Sequence, residues 1–436
     1  MVPAGHAIIV APARRVGGLL RVPGDKSISH RALLLSLLAD GQSSIENLAP
    51  GDDCRATLAC IQVLGADVTR VDGGPHTDVA TLRIRGVGLR GLAVPAAPLD
   101  ACNSGTTARL LMGVLAGASF ASTLVGDASL QRRPMRRVVD PLSLMGARIT
   151  TADGRLPARL DGQPLVGIDY TLPVPSAQVK SAILLAGLTA AGSTTVRESH
   201  QTRNHTELAL RAFGVSVNVQ SRRVSVSGNA PLTAAHVRVP GDPSSAAFWA
   251  VAAAALPGSS LEIRDVGLNP TRTQYLGVLR RFGATVHALP SSDPDAEVRG
   301  TIIVHHGALG HVVITPDEVP GLIDELPALA ALATHGGRLS VTGASELRVK
   351  ESDRISALAR GLRQMGAHID EAEDGFSIDG ASKLRGGEVD AAGDHRLAMA
   401  FAIAALGAAG PTTIVGADSV SISYPGFFDV LERIRQ

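Results

Sequence analysis

The feature that most constrains this chain is that it repeats itself. A small polar cluster opens an Ala/Leu-rich segment six times: GDKSISHRALLLSLLADG from Gly24, NSGTTARLLMGVLAG from Asn103, PSAQVKSAILLAGLTAAG from Pro175, GDPSSAAFWAVAAAALPG from Gly241, IDELPALAALATHGG from Ile323 and GDHRLAMAFAIAALGAAG from Gly393. Successive copies lie roughly 65 to 85 residues apart, as expected of one supersecondary unit used repeatedly. A second pattern alternates with the first, an amphipathic helix that ends in Gly and turns into a strand: LACIQVLGADV, VDPLSLMGARI, ELALRAFGVSV, LGVLRRFGATV and ALARGLRQMGAHI. Gly65, Gly146, Gly214, Gly283 and Gly366 stand where a helix end calls for positive φ. Each unit reads as strand, helix, strand, helix, strand, strand. Six openings interleaved with five endings are too regular for a chance likeness among Ala/Leu-rich helices.

A chain of 436 residues suits two domains better than one core. Three units plus three units give a lobe over 22–238 and a second lobe made of 1–21 with 239–436. The sixth unit ends at FFDVLERIRQ before its last strands, and AIIVAPARRVGGLLRV is expected to supply them, which brings the termini together. The crossovers fall near Arg21–Val22 and Val237–Pro240. Neither carries a Pro/Gly/Ser linker, so adjacent strands are expected to form the hinge. Hydrophobic residues make up 45% and aromatics only 3%, so the core must be closely packed Ala, Val, Leu and Ile.

A net charge of +1 gives no general pull toward nucleic acid or membrane, so any anion binding must come from local clusters of cations. Cys54, Cys60 and Cys102 suit neither a disulfide framework nor a zinc site, and Cys102 is expected to be a packed thiol. No signal-peptide run and no stretch of eighteen apolar residues is present, which reads as a cytoplasmic protein.

Each opening offers Ser, Thr, Asp or Asn with unpaired backbone N–H groups, the chemistry of an N-cap and equally of an anion site. Capping alone explains any single copy. The case for anion binding rests on the cations nearby: Lys26 and Arg31 in the first opening, Lys180 in the third and Arg396 in the sixth. Arg132, Arg133, Arg136 and Arg137 crowd a loop after the second, Arg203 follows the third, and Lys350 and Arg354 follow the fifth. Asp324 in LIDELP reads equally as an N-cap or a catalytic base. Glu351 in RVKESDR reads as a surface ion pair or as one of an acid/base pair tuned by its cationic neighbours.

Other motifs fail. GVGLRG from Gly86 is followed by Pro95 and Pro98 where a dinucleotide-binding helix must start, and VPGDKS lacks the upstream Gly of a phosphate loop. His305, His306 and His311 lack metal-ligand spacing, and no nucleophile elbow is present. No cofactor is signalled.

The segments GDKSISHR, NSGTT, RPMRR, SAQVKSA, LIDELP, LRVKESDR and GDHRLAMAF, in this order over nearly the whole chain, resemble the signature segments of EPSP synthases. The resemblance implies a two-domain inside-out α/β barrel of six βαβαββ units, in agreement with the repeat count. It implies shikimate 3-phosphate contacts from Lys26, Ser27, Arg31, Ser176, Ala177, Gln178, Arg203, Asp324 and Lys350. It also implies phosphoenolpyruvate contacts from Lys26, Gly105, Arg133, Gln178, Arg354 and Arg396. Asp324 is then the base for the attacking hydroxyl, with Glu351 and Lys26 handling the proton at C3, and closure of the two domains excludes water. A monomer is expected, with neither nucleic acid nor membrane as partner.

GDKS, SAQVK, RNHTE and NPTR resemble the class II bacterial branch, whose strongly glyphosate-tolerant members can carry Ala where this chain has Gly105. The class I lysine near the C-terminus has no counterpart, and Ile422 stands in its place. The sister family that acts on UDP-N-acetylglucosamine carries a loop cysteine that GDASLQRRPMRR lacks. A non-catalytic anion-binding or RNA-end-binding protein of related fold is disfavoured by the near-neutral charge.

Overall fold

The computed structural model describes residues 6–71, 80–292 and 296–436; residues 1–5 of the expected terminal lobe lie outside these. Among the described residues the strands form five four-stranded sheets and one of three strands. The four-stranded sheets share one internal order. In the second repeat Leu99–Asp100 runs parallel to Ala121–Val125, which pairs antiparallel with Arg155–Asp161, itself antiparallel to Arg148–Ala152. The helices between these strands give the strand-helix-strand-helix-strand-strand order read from the sequence.

The chain divides into two compact units, one running from Gly24 to Val239 and including Glu297, the other holding both chain ends. We call them the middle and terminal units. The division lies a residue or two beyond 22–238. The Asp242 N–H donates to the Pro23 carbonyl at 2.8 Å, keeping Pro23 in the terminal unit, while the Val239 N–H donates to the Glu46 carbonyl at 3.0 Å, keeping Val239 in the middle one. The opening segment does not supply two strands to the sixth sheet. Ile8–Val10 joins it, antiparallel to Thr412–Val415, whereas Gly17–Arg21 leads the fourth sheet parallel to Ser260–Gly267. The fourth sheet needs that leader because His236–Arg238, which would otherwise come before it, is already paired with Gln42–Glu46 in the first. The opening segment does meet the C-terminus, as the Arg14 and Arg15 N–H groups donate to the Gln436 carbonyl at 3.1 and 3.2 Å.

Within each unit the first-pattern helices lie inside and the sheets outside. All thirteen residues of the helix Pro243–Ala255 are buried, as is Ile28–Leu38 of the helix Lys26–Leu38. Strand Arg155–Asp161 alternates exposed and buried, turning one face to the helices and one to water. Small residues permit this packing. A Cβ on Gly113 of the helix Gly105–Ala116 would lie 2.3 Å from the Ala182 carbonyl oxygen of the helix Ala177–Gly187, so these helices touch backbone to backbone. The second-pattern helices end as the sequence suggests: Gly65, Gly146, Gly214, Gly283 and Gly366 all have positive φ. At Gly283 φ is 114°, and its N–H closes the helix onto the Leu279 and Arg280 carbonyls.

Candidate active site

Five of the six buried helices open on a side-chain cap, from Asp25, Ser104, Ser176, Asp242 and Asp394. The fifth repeat is the exception. Its helix Leu326–Ala333 begins after Glu325, which gives no side-chain cap, and Asp324 stands one residue before that cap position. Each unit gathers its own cluster of charge at these openings.

In the middle unit, Lys26 lies at the first turn of its helix and donates to Asp53 Oδ2 at 2.8 Å. Arg31, one turn on, is 4% exposed. Its Nε donates to Thr206 Oγ1 at 2.7 Å, its Nη1 to the Ser27 carbonyl at 2.8 Å and its Nη2 to Ser181 Oγ at 2.7 Å. A guanidinium has five N–H donors, so this arrangement engages three with neutral oxygens and leaves two. Burial pushes the Arg31 pKa down to about 10, against the pull of Glu207 and Asp25, so it remains charged at neutral pH. Gln178 accepts from Arg109 Nη1 and donates to Thr106 Oγ1, both at 2.9 Å, which ties the second opening to the third. A Cβ on Gly105 would meet Arg109 Nη1 at 2.6 Å and Arg133 Nη1 at 3.2 Å, so two guanidiniums converge over this glycine. Arg133 is held by Asn103 Oδ1 at 3.0 Å. Ser176 and Ala177 open the third helix, and Arg203 is near enough to Arg31 to lower its pKa.

In the terminal unit the cluster centres on Arg354, which is 1% exposed. Its Nε donates to Asp394 Oδ2 at 2.8 Å, its Nη2 bonds Glu351, and its Nη1 faces Asp324 Oδ1 at 3.6 Å. Burial opposes the charge, but Asp394, Glu351 and Asp324 outweigh it and raise the Arg354 pKa above its ordinary value. Asp324 also has Arg396 Nη2 at 3.7 Å and Lys350 Nζ at 4.0 Å, while Arg396 Nη1 donates to the Asp324 carbonyl at 2.8 Å. Glu351 is thus no solvated surface partner: it is bonded to a buried guanidinium.

Of the residues singled out from sequence, Lys26, Ser27, Arg31, Gly105, Arg133, Ser176, Ala177, Gln178 and Arg203 belong to the middle unit, and Asp324, Lys350, Glu351, Arg354 and Arg396 to the terminal unit. Several expectations need correcting. Lys180 is not a cation offered to ligands; it is 1% exposed, between Glu198 Oε2 at 3.0 Å and Glu207 Oε1 at 2.7 Å. The Arg132–Arg137 run is not one loop, since Arg132 ends the helix Ala128–Gln131 and Arg136 starts the helix Arg136–Leu144; only Arg133 of the four is buried. Cys102 is exposed rather than packed, at a turn residue with φ 49°. The sequence shows Asp394 only as the cap in GDHR, not as the partner of Arg354, and does not single out Arg109, which lies one helical turn after Gly105. Among the described residues no His, Cys, Asp and Glu group has metal-site geometry, and no helix is long and apolar enough to cross a membrane.

A chain of six such repeats, with guanidinium groups and helix N-termini gathered in each unit, defines an α/β protein built to hold small polyanions. The model of the EPSP synthase (3-phosphoshikimate 1-carboxyvinyltransferase) family matches residues 10–431. The 3-phosphoshikimate 1-carboxyvinyltransferase of Gloeobacter violaceus is 48% identical over 99% of this chain and 100% of its own length. The protein of that name from Acidithiobacillus ferrooxidans is 50% identical over 96% of this chain and 95% of its own. A solved EPSP synthase from Acinetobacter baumannii superposes with a TM-score of 0.84 at 41% identity, covering 98% of both chains. The chain belongs to the EPSP synthase family.

Proposed function

We propose that the chain transfers the enolpyruvyl group of phosphoenolpyruvate to the 5-hydroxyl of shikimate 3-phosphate and releases phosphate through a tetrahedral ketal. The single observation that carries the residue roles is Asp324: a carboxylate with Arg354, Arg396 and Lys350 within 3.6 to 4.0 Å. A carboxylate can serve as a general base for a substrate hydroxyl. It takes the hydroxyl proton as the oxygen attacks C2, while Glu351, with Lys26, delivers a proton to C3. The ketal then collapses by losing that C3 proton and breaking the C2–O bond to phosphate.

Both substrates are polyanions. Two phosphates of charge about −2 held roughly 6 Å apart repel by on the order of 10 kcal/mol at an effective dielectric near 20. Several cations are needed to offset this. Lys26, Arg31 and Arg203, with Ser27, Ser176, Ala177 and Gln178, take the shikimate phosphate and ring. Arg133 and Gly105 of the middle unit, with Arg354 and Arg396 of the terminal unit, are assigned to phosphoenolpyruvate, the guanidiniums matching its planar carboxylate in pairs of hydrogen bonds.

The names of the relatives favour the shikimate acceptor over a UDP-sugar. The test is phosphate release on mixing protein and phosphoenolpyruvate with either shikimate 3-phosphate or UDP-N-acetylglucosamine. Release is expected with the first alone; release only with the second would overturn the reading.

A further inference from the structure

The roles above use Arg31 but not the two hydroxyls that hold it. Ser181, 0% exposed, lies on the helix Ala177–Gly187, and Thr206, 1% exposed, in the first turn of the helix His205–Ala212. Their oxygens stand 2.6 Å apart and both face one edge of the guanidinium. Thr206 Oγ1 accepts from Arg31 Nε and Ser181 Oγ from Nη2, each at 2.7 Å. A carboxylate receives a guanidinium in the same side-by-side way. Here the acceptor pair carries no charge.

The hydroxyl hydrogens follow by elimination. Ser181 has one to give, and gives it to the Ala177 carbonyl at 2.7 Å. The hydrogen between the two hydroxyls is therefore that of Thr206, which leaves both oxygens as acceptors for Arg31. The Ser27 carbonyl takes a third donor, on Nη1, at 2.8 Å. Bonds at all three nitrogens fix the guanidinium plane, and one hydrogen on each terminal nitrogen remains for a ligand. The same two helices are also joined by the neighbouring residues, Lys180 Nζ meeting Glu207 Oε1 at 2.7 Å. Loss of one hydroxyl should therefore disturb Arg31 rather than the packing around it.

We propose that Ser181 and Thr206 are positioning residues for shikimate 3-phosphate: they aim Arg31 as a carboxylate would, while leaving its positive charge to the substrate. The proposal rests on Arg31 binding shikimate 3-phosphate. The alternative is a pair of buried hydroxyls that serves stability alone.

The experiment measures kcat and both KM values from phosphate release for Thr206→Val, Thr206→Ser, Ser181→Ala, Arg31→Met and the double variant Arg31→Met/Thr206→Val, each checked for folding by thermal melting. Thr206→Val keeps the shape and removes the hydroxyl. It is expected to raise KM for shikimate 3-phosphate about 5- to 20-fold, with KM for phosphoenolpyruvate within about twofold of wild type. Thr206→Ser keeps the acceptor and should stay within about threefold of wild type in both. In the Arg31→Met background, Thr206→Val should cost less than about twofold further. A Thr206→Val enzyme whose KM for shikimate 3-phosphate stays within about twofold of wild type, or rises no more than its KM for phosphoenolpyruvate, overturns the proposal. So does Thr206→Ser as impaired as Thr206→Val, or an equal loss in both backgrounds. Arg31→Met with a wild-type KM for shikimate 3-phosphate overturns the binding role of Arg31, and the proposal with it, which is a separate outcome. If Thr206→Val fails to fold, Ser181→Ala, alone and with Arg31→Met, gives the same readouts.

Discussion

Arg31 in the middle unit and Arg354 in the terminal unit are both buried guanidiniums beside helix openings, yet their partners differ. Arg31 is held by two hydroxyls and a carbonyl, Arg354 by Asp394 and Glu351 with Asp324 beyond. Burial accordingly lowers one pKa to about 10, while the carboxylates raise the other above its ordinary value. The contrast teaches a division of labour. A cation held by neutral oxygens keeps its field for an incoming anion, worth about 5 kcal/mol against a phosphate of charge about −2 at roughly 6 Å. On the roles proposed above, a cation embedded among carboxylates also holds those carboxylates in place, so Arg354 divides its donors between Asp394, Glu351 and phosphoenolpyruvate. Lys180 shows that the carboxylate cage alone does not make a site: with Glu198 and Glu207 it forms a closed brace.

The largest expected effect is on Asp324. Asp324→Ala should lower kcat about 100- to 10,000-fold while the fold persists, read as phosphate release from saturated enzyme. Near-normal turnover would remove the working carboxylate from the comparison. Next comes the pair Arg354→Met and Lys180→Met. Each leaves carboxylates buried without their cation, at a cost of about 3–5 kcal/mol in urea unfolding. The comparison sharpens if the folded fraction of Lys180→Met keeps wild-type KM values and that of Arg354→Met does not. Arg31→Met should be milder in stability, about 1–3 kcal/mol, because it strands only neutral oxygens.

The smallest expected effect concerns His335, in the terminal unit. Burial lowers its pKa from 6.5 to about 4, so it is neutral in the fold across that interval. The unfolded chain takes up a proton there and the folded chain does not, so stability falls as pH drops from 6.5 toward 4. The full shift corresponds to about 3 kcal/mol, reduced to about 1–2 because His335 borders an open pocket where water screens it. His335→Gln should flatten the acid limb of urea midpoints by that amount.

How much of this was legible follows from the physics of each feature. The repeats could be read because Ala/Leu-rich helices and glycine ends recur at similar spacings, and Asp25, Ser104 and Asp394 announce their helices as caps. The closure of the sheets was harder, because strands such as His236–Arg238 and Ile8–Val10 have three residues and carry almost no pattern. Lys180 was misread because Glu198 and Glu207, which close around it, lie further along the chain. Arg133 could not be told from Arg132 or Arg136, since only the fold decides which side chain turns inward toward Asn103. Asp324 reads equally as cap or base in the sequence, because the exact helix start, which the structure puts at Leu326 after Glu325, is not encoded in LIDELP.

The division of labour between the clusters is tested most directly by KM values from phosphate release, measured with each substrate varied in turn, for wild type, Arg31→Met and Arg354→Lys. The prediction is that Arg31→Met raises KM chiefly for shikimate 3-phosphate, by about 10- to 100-fold, and that Arg354→Lys raises it chiefly for phosphoenolpyruvate. The opposite pattern, or no change in either constant, would contradict it.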